Sequence, residues 1–402
     1  MIEDPASAGF DSTRLNRITD HLRDNFIEKE KIVGCQALVA RHGQLAYFQS
    51  LGLADRERKK SVTEETIFRI YSMSKPITSV ALMQLYEKGL FQLNDPIHRV
   101  LPDWRDLRVW VSGDTNYETK APIRPITFRN LLSHTGGLTY GGSGHPVDRA
   151  YKDAGLRQDK GETLSSFAQK LGNIPLRYDP GEAWLYSYST DVCGYLVEVL
   201  SGKPFDRYLR EEIFEPLGMT DTGFTVPEKS MSRFAANYGR KEDKTLQLID
   251  DPMDSIYLEP KSFFSGGGGL VSTTKDYWRF SEMLRCGGEL DGARILGPRT
   301  IELMRRNHLV NNQDLASLAI GSFSETAYEG IGFGLGFAST LDTVEAGQFG
   351  VNDFFWGGAA STIFWVDPID DLVAIFMTQL MPSNTFNFRG QLKNLIYSAI
   401  IS

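Results

Sequence analysis

Cysteine is scarce in this chain of 402 residues, where it occurs only at Cys35, Cys193 and Cys286. The number is odd and no C-x-x-C spacing occurs, which argues against a disulfide framework and favours a reducing compartment. Each thiol is expected to be a small, buried, apolar side chain. The six histidines are scattered and no H-E-x-x-H occurs, so we expect neither a zinc site nor another cofactor.

Long apolar runs and a surplus of positive charge are also missing. No stretch of about eighteen apolar residues is present, so no membrane-spanning helix is predicted. The net charge of −8 argues against nucleic acid and anionic membrane surfaces as partners. The first residues contain no basic segment followed by an apolar one, which predicts no signal peptide and a cytoplasmic protein. The composition leaves the oligomeric state open.

Three familiar patterns are incomplete. No serine has the G-x-S-x-G flanking of an α/β-hydrolase esterase, since Gly141-Gly142-Ser143-Gly144-His145 lacks the last glycine. Gly266 to Gly269 are not followed by G-K-[ST], so they predict a close approach of two backbone segments rather than a phosphate loop. His134 is expected to close a short helix rather than pair with Ser133, because Gly136-Gly137 follow it.

What the sequence does contain is Ser72-Met73-Ser74-Lys75, placed just before the apolar run Ile77 to Tyr86. That run predicts a core helix, and Pro76 fits only its first turn. Residues three apart share a helix face, so the hydroxyl of Ser72 and the amine of Lys75 are expected within hydrogen-bond reach. Because burial favours the neutral amine, such a lysine can act as a base towards the serine.

A second S-x-x-K occurs at Ser272-Thr273-Thr274-Lys275. It follows the glycine tract and precedes an amphipathic stretch, so Ser272 or Thr273 is expected to cap a helix. Context therefore favours Ser72 over Ser272 as the reactive serine.

Two further motifs follow in order: Tyr186-Ser187-Tyr188 ahead of a predicted helix, and Trp356-Gly357-Gly358-Ala359 between two β-like stretches. With Ser72 and Lys75 they resemble the penicillin-recognising serine hydrolases, which carry S-x-x-K, Y-x-N and K-T-G in this order. The replacement of K-T-G by W-G-G resembles the family VIII carboxylesterases, which have the class C β-lactamase fold and mainly hydrolyse esters.

The resemblance implies roles for particular residues. Ser72 would be the nucleophile, and Lys75 with Tyr186 would transfer its proton. The backbone N–H groups of Ser72 and Ala359 would form the oxyanion hole. Phenol and amine both titrate near pH 10 when unperturbed, so work at neutral pH requires burial or mutual contact.

The remaining motif residues are expected to bind substrate. Gly357 and Gly358 would let the strand approach the reacting carbonyl closely. Trp356 replaces a lysine that attracts the substrate carboxylate in the lactamases, so neutral ester groups are favoured over anionic β-lactams. Tyr188 stands where the family has an asparagine that helps hold the substrate amide, and it is expected to form a pocket wall.

Strands near both ends with helices between them predict an α+β fold. Residues 1–68 and 262–402 are expected to form an antiparallel sheet flanked by terminal helices, and residues 69–261 a mainly helical domain, with the active site at their interface. This arrangement agrees with the β-lactamase/DD-peptidase-like fold of the family.

The sequence thus predicts a serine carboxylesterase that hydrolyses short- to medium-chain acyl esters through an acyl-enzyme on Ser72, with a small-molecule ester as its partner. Alternatives on the same site are a β-lactamase or D-alanyl peptidase-like amidase and an acyl transferase. A non-catalytic penicillin-binding-like protein is a further alternative, although both the nucleophile and its base are present.

Overall fold

A computed structural model describes residues 4–156, 161–321 and 328–401. Its α-helices are α1 Ser12–Leu15, α2 Arg17–Leu22, α3 Ser74–Glu87, α4 Phe128–Leu132, α5 Pro146–Asp153, α6 Leu164–Leu171, α7 Ser189–Ser201, α8 Phe205–Leu209, α9 Glu215–Leu217, α10 Thr274–Arg285, α11 Pro298–Arg305, α12 Leu315–Leu318, α13 Thr343–Ala346 and α14 Phe388–Tyr397. Its strands are β1 Gly34–Arg41, β2 Gln44–Asp55, β3 Lys60–Ser61, β4 Ile67–Arg69, β5 Val109–Ser112, β6 Glu118–Lys120, β7 Asn237–Arg240, β8 Leu246–Asp250, β9 Val271–Thr273, β10 Glu289–Leu290, β11 Ala293–Arg294, β12 Ile331–Phe333, β13 Ala338–Thr340, β14 Phe354–Gly357, β15 Ile363–Asp367, β16 Leu372–Thr378 and β17 Leu380–Met381.

One antiparallel sheet joins strands from both ends of the chain. Its order is β12-β13-β14-β15-β16-β1-β2-β3, so β1 pairs with β16 from the far end of the sequence. In the sequence His42-Gly43 joins two β-like runs and predicts a hairpin, and β1 and β2 form one. His42 and Gly43 at its turn both have positive φ, at 53° and 76°. Such angles match the twist of a tight hairpin turn.

Helices cover both faces of this sheet. Phe364 and Ile375 are paired across β15 and β16, so Phe364 and Phe376 point to opposite faces. The Phe364 ring contacts Tyr277 of α10, and the Phe376 ring contacts Phe388 of α14. Helix α14 also packs against α1 and α2. The predicted α+β fold with terminal helices on an antiparallel sheet is confirmed.

Helix α3 is the predicted core helix. Every residue from Ser74 to Leu85 is buried, as an apolar helix without a polar face requires. The regular helix begins at Ser74, and Tyr71–Met73 form a 3₁₀ turn ahead of it. Ser72 therefore lies on the turn that leads into the core.

Some local expectations were wrong. The β-like run of residues 333–340 predicts one strand, but β12 ends at Phe333 and β13 begins only at Ala338. The chain turns between them at Gly336, whose φ is 103° and where a Cβ would lie 2.2 Å from Ser79 Oγ. Cys35 and Cys193 are buried as expected, but Cys286 is exposed. The middle of the chain, predicted as mainly helical, contains the short strands β5 to β8 beside its helices. The domain boundaries after residues 68 and 261 stay a prediction.

No helix within the described residues is long and apolar enough to cross a membrane.

A fully buried ion pair connects α14 to the strand that carries the W-G-G motif. Lys393 Nζ lies 2.5 Å from Asp353 Oδ2, and both side chains are wholly buried. Burial raises the pKa of the Asp353 carboxyl and lowers the pKa of the Lys393 ammonium, while their mutual attraction opposes both shifts. Asp353 directly precedes β14, so the pair fixes the start of that strand.

Replacing Lys393 by methionine is expected to lower the free energy of unfolding by about 3 kcal/mol, because it leaves the Asp353 charge buried and unpaired. Urea unfolding followed by circular dichroism measures this change.

The double variant Asp353→Asn, Lys393→Met should recover most of the loss. Arg299→Ala, which breaks an exposed pair with Glu302, should leave the midpoint unchanged. An unchanged midpoint in Lys393→Met alone would contradict this account.

Candidate active site

Ser72 is held between a strand and the core helix. Strand β4 ends at Arg69, and the next residue, Ile70, donates its N–H to the carbonyl of Leu270 at 3.1 Å. Tyr71 then adopts a φ of 41°, a left-handed conformation that is costly for a tyrosine and is often found at functional sites. The Ser72 side chain that follows is 8% exposed. The Ser72 hydroxyl therefore lies between the end of β4 and the start of α3.

Lys75 is wholly buried and faces Ser72. Its Nζ lies 3.3 Å from Ser72 Oγ and donates to the carbonyl oxygen of Gly267 at 2.6 Å. The structure therefore brings the two residues of the S-x-x-K motif together as the helical spacing predicted.

Tyr186 lies directly against this amine. Lys75 Nζ is 4.4 Å from the centroid of the Tyr186 ring, within the range of a cation–π contact. The Tyr186 hydroxyl oxygen accepts a hydrogen bond from the indole N–H of Trp356 at 3.0 Å. The three motifs thus converge on one buried cluster.

Trp356 is itself fully buried, and its ring packs edge-on against Phe333. The substrate contact predicted for it stays a prediction. What the structure adds is a hydrogen bond to Tyr186, a contact that sequence spacing alone does not reveal.

Gly358 brings the W-G-G turn next to the segment before Ser72. A Cβ on Gly358 would lie 2.4 Å from the carbonyl oxygen of Ile70 and 2.3 Å from Thr362 Oγ1. The turn is closed by a hydrogen bond from the Ser361 N–H to the Gly358 carbonyl at 2.9 Å, and Ala359 lies inside it. Glycine at this position is therefore required by the chain's own backbone.

The glycine tract before β9 packs against two helices. A Cβ on Gly266 would lie 2.7 Å from the carbonyl oxygen of Thr190 and 2.9 Å from Thr78 Cγ2. The predicted close approach of backbone segments is confirmed, and it brings the Gly267 carbonyl within reach of Lys75. The second S-x-x-K also behaves as predicted, since the Thr273 side chain caps α10.

His134 contacts the cluster from the loop after α4. Its ring centroid lies 4.9 Å from that of Tyr186, and its Nδ1 is 3.2 Å from Ser187 Oγ. Burial, and then the charge of Lys75, hold the pKa of His134 well below its usual value. The imidazole is therefore neutral at neutral pH and adds no positive charge beside Lys75.

Two other side chains belong to the site although no motif marked them. The Tyr140 ring lies 5.3 Å from the Tyr186 ring and 4.6 Å from the Tyr188 ring, and Lys75 Nζ is 5.4 Å from its centroid. Asp191, in the first turn of α7, is 1% exposed and accepts a hydrogen bond from the Gly267 N–H at 3.1 Å. The positions of both side chains depend on contacts between distant segments. In the sequence only the glycine tract indicated such contacts.

An aromatic cleft of about 520 Å³ opens beside this cluster. Its lining includes the large side chains of Tyr140, Tyr151, Leu156 and Tyr188, the charged side chains of Asp148, Arg149 and Lys152, and three glycines. Burial raises the pKa of Tyr188 to about 12, so its phenol is neutral. In the part of the chain that the structure describes, no group of three His, Cys, Asp or Glu side chains is arranged to hold a metal ion.

Comparison with known families agrees with this geometry. A model of the family described as Beta-lactamase matches residues 16–396. The chain belongs to the β-lactamase family. Protein Rv1367c of Mycobacterium tuberculosis is 34% identical over 87% of this chain and 86% of its own length. Esterase EstB of Burkholderia gladioli is 30% identical over 93% of both chains.

A solved structure is similar over almost its whole length. EstCE1, described as a hydrolase with promiscuous acyltransferase activity, superposes with a TM-score of 0.80 at 27% identity, covering 98% of this chain and 99% of its own. The resemblance to family VIII carboxylesterases is confirmed. This member of the β-lactamase family is a serine hydrolase with esterase or acyl-transfer activity.

Replacing Trp356 by phenylalanine tests the indole hydrogen bond. The change keeps an aromatic ring but removes the donor to the Tyr186 oxygen, at a cost of about 1 kcal/mol. We expect kcat for ester hydrolysis to fall about fivefold, with KM unchanged.

The matched control is Trp365→Phe, since Trp365 is also fully buried and its indole N–H has no hydrogen-bond partner among the described residues. It should leave kcat unchanged. A rise in KM with unchanged kcat in Trp356→Phe would instead favour direct contact between the indole and the substrate.

Proposed function

We propose that this protein is a carboxylesterase that works through an acyl-enzyme on Ser72. The observation that carries the proposal is the wholly buried Lys75 amine, 3.3 Å from Ser72 Oγ and packed on the Tyr186 ring. A serine needs a base to become a nucleophile, and burial favours the neutral amine that can serve as one. Ser72 keeps 8% of its surface exposed, which leaves a path for a small ester.

In the first step Ser72 Oγ attacks the ester carbonyl carbon, and its proton passes to Lys75 with Tyr186. The negative charge on the carbonyl oxygen is stabilised by the backbone N–H groups of Ser72 and Ala359. The close packing of Gly358 on Ile70 supports this pairing, because it brings the two backbone segments side by side.

Collapse of the tetrahedral intermediate breaks the carbon–oxygen bond to the alcohol. The same proton, returned through Tyr186, leaves with the alcohol, and the acyl group stays on Ser72. Water then attacks the acyl carbon and gives its proton to the same pair. The bond from that carbon to Ser72 Oγ breaks, the pair returns the proton to Ser72 Oγ, and the acid leaves. Both half-reactions use one proton-transfer pair and one oxyanion hole, so no cofactor is needed.

Trp356 would act in this scheme mainly by holding the phenol of Tyr186. An indole carries no charge. The site therefore has no positive charge at this position to attract a substrate carboxylate. Together with Tyr188 in place of asparagine, this favours neutral esters over anionic β-lactams. Gly357, one residue before Gly358, would line the path of the substrate along the strand.

The proposed substrates are short- to medium-chain esters whose apolar part occupies the cleft beside Tyr140 and Tyr188. Ring faces bind apolar groups without a fixed hydrogen-bonding pattern, so the cleft would tolerate acyl or alcohol groups of varied shape. The partner we propose is a small neutral ester.

A second candidate is transfer of the acyl group to an alcohol. The same acyl-enzyme serves both reactions, and the cleft offers apolar area for an acceptor alcohol in competition with water. The description of EstCE1 as a hydrolase with acyltransferase activity supports keeping this candidate.

Substituting the proposed residues tests the function directly. Ser72→Ala should lower the turnover of p-nitrophenyl acetate and butyrate at least about a thousandfold, because the nucleophile is lost. Tyr186→Phe should lower it about a hundredfold through loss of proton transfer. A chromogenic cephalosporin assayed in parallel should turn over far more slowly than either ester in the unaltered protein.

The control for the nucleophile is Ser272→Ala in the other S-x-x-K sequence, which should keep full ester turnover. Undiminished turnover in Ser72→Ala would exclude the proposed mechanism. A complete lack of ester turnover in the unaltered protein would favour a non-catalytic binding function, and faster turnover of the cephalosporin would favour a lactamase.

A further inference from the structure

Asp191 is a buried acid that the mechanism above does not use. Only one residue, Gly267, lies between its carboxylate and the catalytic amine of Lys75. Its Oδ1 accepts hydrogen bonds from Ser265 Oγ at 2.6 Å and from the Gly267 N–H at 3.1 Å. The carbonyl of the same residue, Gly267, accepts from Lys75 Nζ at 2.6 Å. Gly267 thus connects the Asp191 carboxylate to the Lys75 amine through its own N–H and carbonyl groups.

Gly267 packs closely against the Asp191 carboxylate. A Cβ on Gly267 would lie 2.6 Å from Asp191 Oδ2 and 3.2 Å from the Tyr140 hydroxyl oxygen. Only glycine therefore allows the carboxylate to approach so closely, and the carboxylate in turn determines where the Gly267 carbonyl points.

We propose that Asp191 is a positioning residue that orients Gly267 and, by its negative charge, keeps the buried Lys75 amine basic enough to take the proton of Ser72. The inference rests on the proposed function, since it concerns the base of that mechanism. Burial alone strongly disfavours an ammonium ion and would leave the amine a weak base. A nearby carboxylate restores part of that basicity without exposing the site to water.

The electrostatic coupling has the sign that this role requires. Burial raises the pKa of the Asp191 carboxyl, while the hydrogen bond from Ser265 and the charge of Lys75 oppose the rise. Such coupling acts on both partners, so the carboxylate favours the protonated form of Lys75 as much as the ammonium favours the carboxylate.

The pKa values of three other titratable groups that face the pair are shifted away from the neutral range. Burial lowers the pKa of His134 and raises the pKa of Cys193 and of Tyr188. Tyr140 and Tyr186 present their ring faces to the Lys75 amine. A pH-dependent change in this cluster is therefore expected to report the Lys75–Asp191 pair.

Asp191→Asn tests the inference, because asparagine keeps an acceptor for Ser265 and Gly267 but removes the charge. The acid limb of the pH profile of kcat/KM reports the pH at which Lys75 loses its proton. Without the carboxylate the amine becomes neutral at lower pH, so we expect the limb to move to lower pH by about one unit. The plateau kcat should fall about threefold because the amine is a weaker base, with KM unchanged.

Asp276→Asn is the matched control. Asp276 is also a buried acid in the first turn of a helix, α10, and accepts from the Asp221 N–H and from Thr222 Oγ1, but it lies in another part of the fold. This variant should leave the acid limb in place. An unmoved limb in Asp191→Asn, or an equal shift in Asp276→Asn, would overturn the inference.

Ser265→Ala tests the same inference if Asp191→Asn fails to fold. It removes the hydrogen bond that favours the ionised carboxylate, so the limb should move in the same direction by a smaller amount, and no movement would count against the inference. Labelling with a small fluorophosphonate, mapped to its residue by mass spectrometry, separates the two claims. A label away from Ser72 contradicts the proposed function, whereas a label on Ser72 with an unmoved limb contradicts the inference alone.

Discussion

The contact between the buried Lys75 amine and the Gly267 carbonyl is the constraint on which the rest of the site depends. A lysine with no exposed surface must find hydrogen-bond acceptors for its amine inside the protein. Here Lys75 Nζ donates to the Gly267 carbonyl and also lies within reach of Ser72 Oγ. That arrangement leaves the amine close to the hydroxyl in a site with little water. The charge of an ammonium ion is costly in such a place, and this cost is the source of the proposed reactivity.

The fold is organised around holding this contact. Helix α3 is buried from Ser74 to Leu85, so its backbone at Lys75 cannot move outward without moving the core. The glycine tract fits closely against Thr78 of α3 and Thr190 of α7. On the opposite side, the Trp356 indole holds the Tyr186 hydroxyl, and Gly358 packs on Ile70. Segments from the start, middle and end of the chain thus each contribute one side of the site.

Much of this was predictable from local sequence. The spacing of Ser72 and Lys75 predicted that their side chains meet, and they do so although Ser72 lies on the 3₁₀ turn just before the buried helix. The hairpin at His42-Gly43 follows from turn chemistry. The short strands β12 and β13 were missed because an apolar run does not show where a glycine reverses the chain. Asp191 and Tyr140 were missed for another reason, since neither has a local pattern and their place depends on how the glycine tract packs. The hydrogen bond from Trp356 to Tyr186 likewise requires the folded arrangement of two distant motifs.

The most direct test of the account is to trap the covalent intermediate. The protein would be quenched with acid during turnover of a slowly deacylated ester, and the acyl group would be mapped by peptide mass spectrometry. We expect an acyl group on Ser72 in the unaltered protein and none in Lys75→Met. An acyl group on another residue, or one formed on Ser72 equally fast in Lys75→Met, would contradict it.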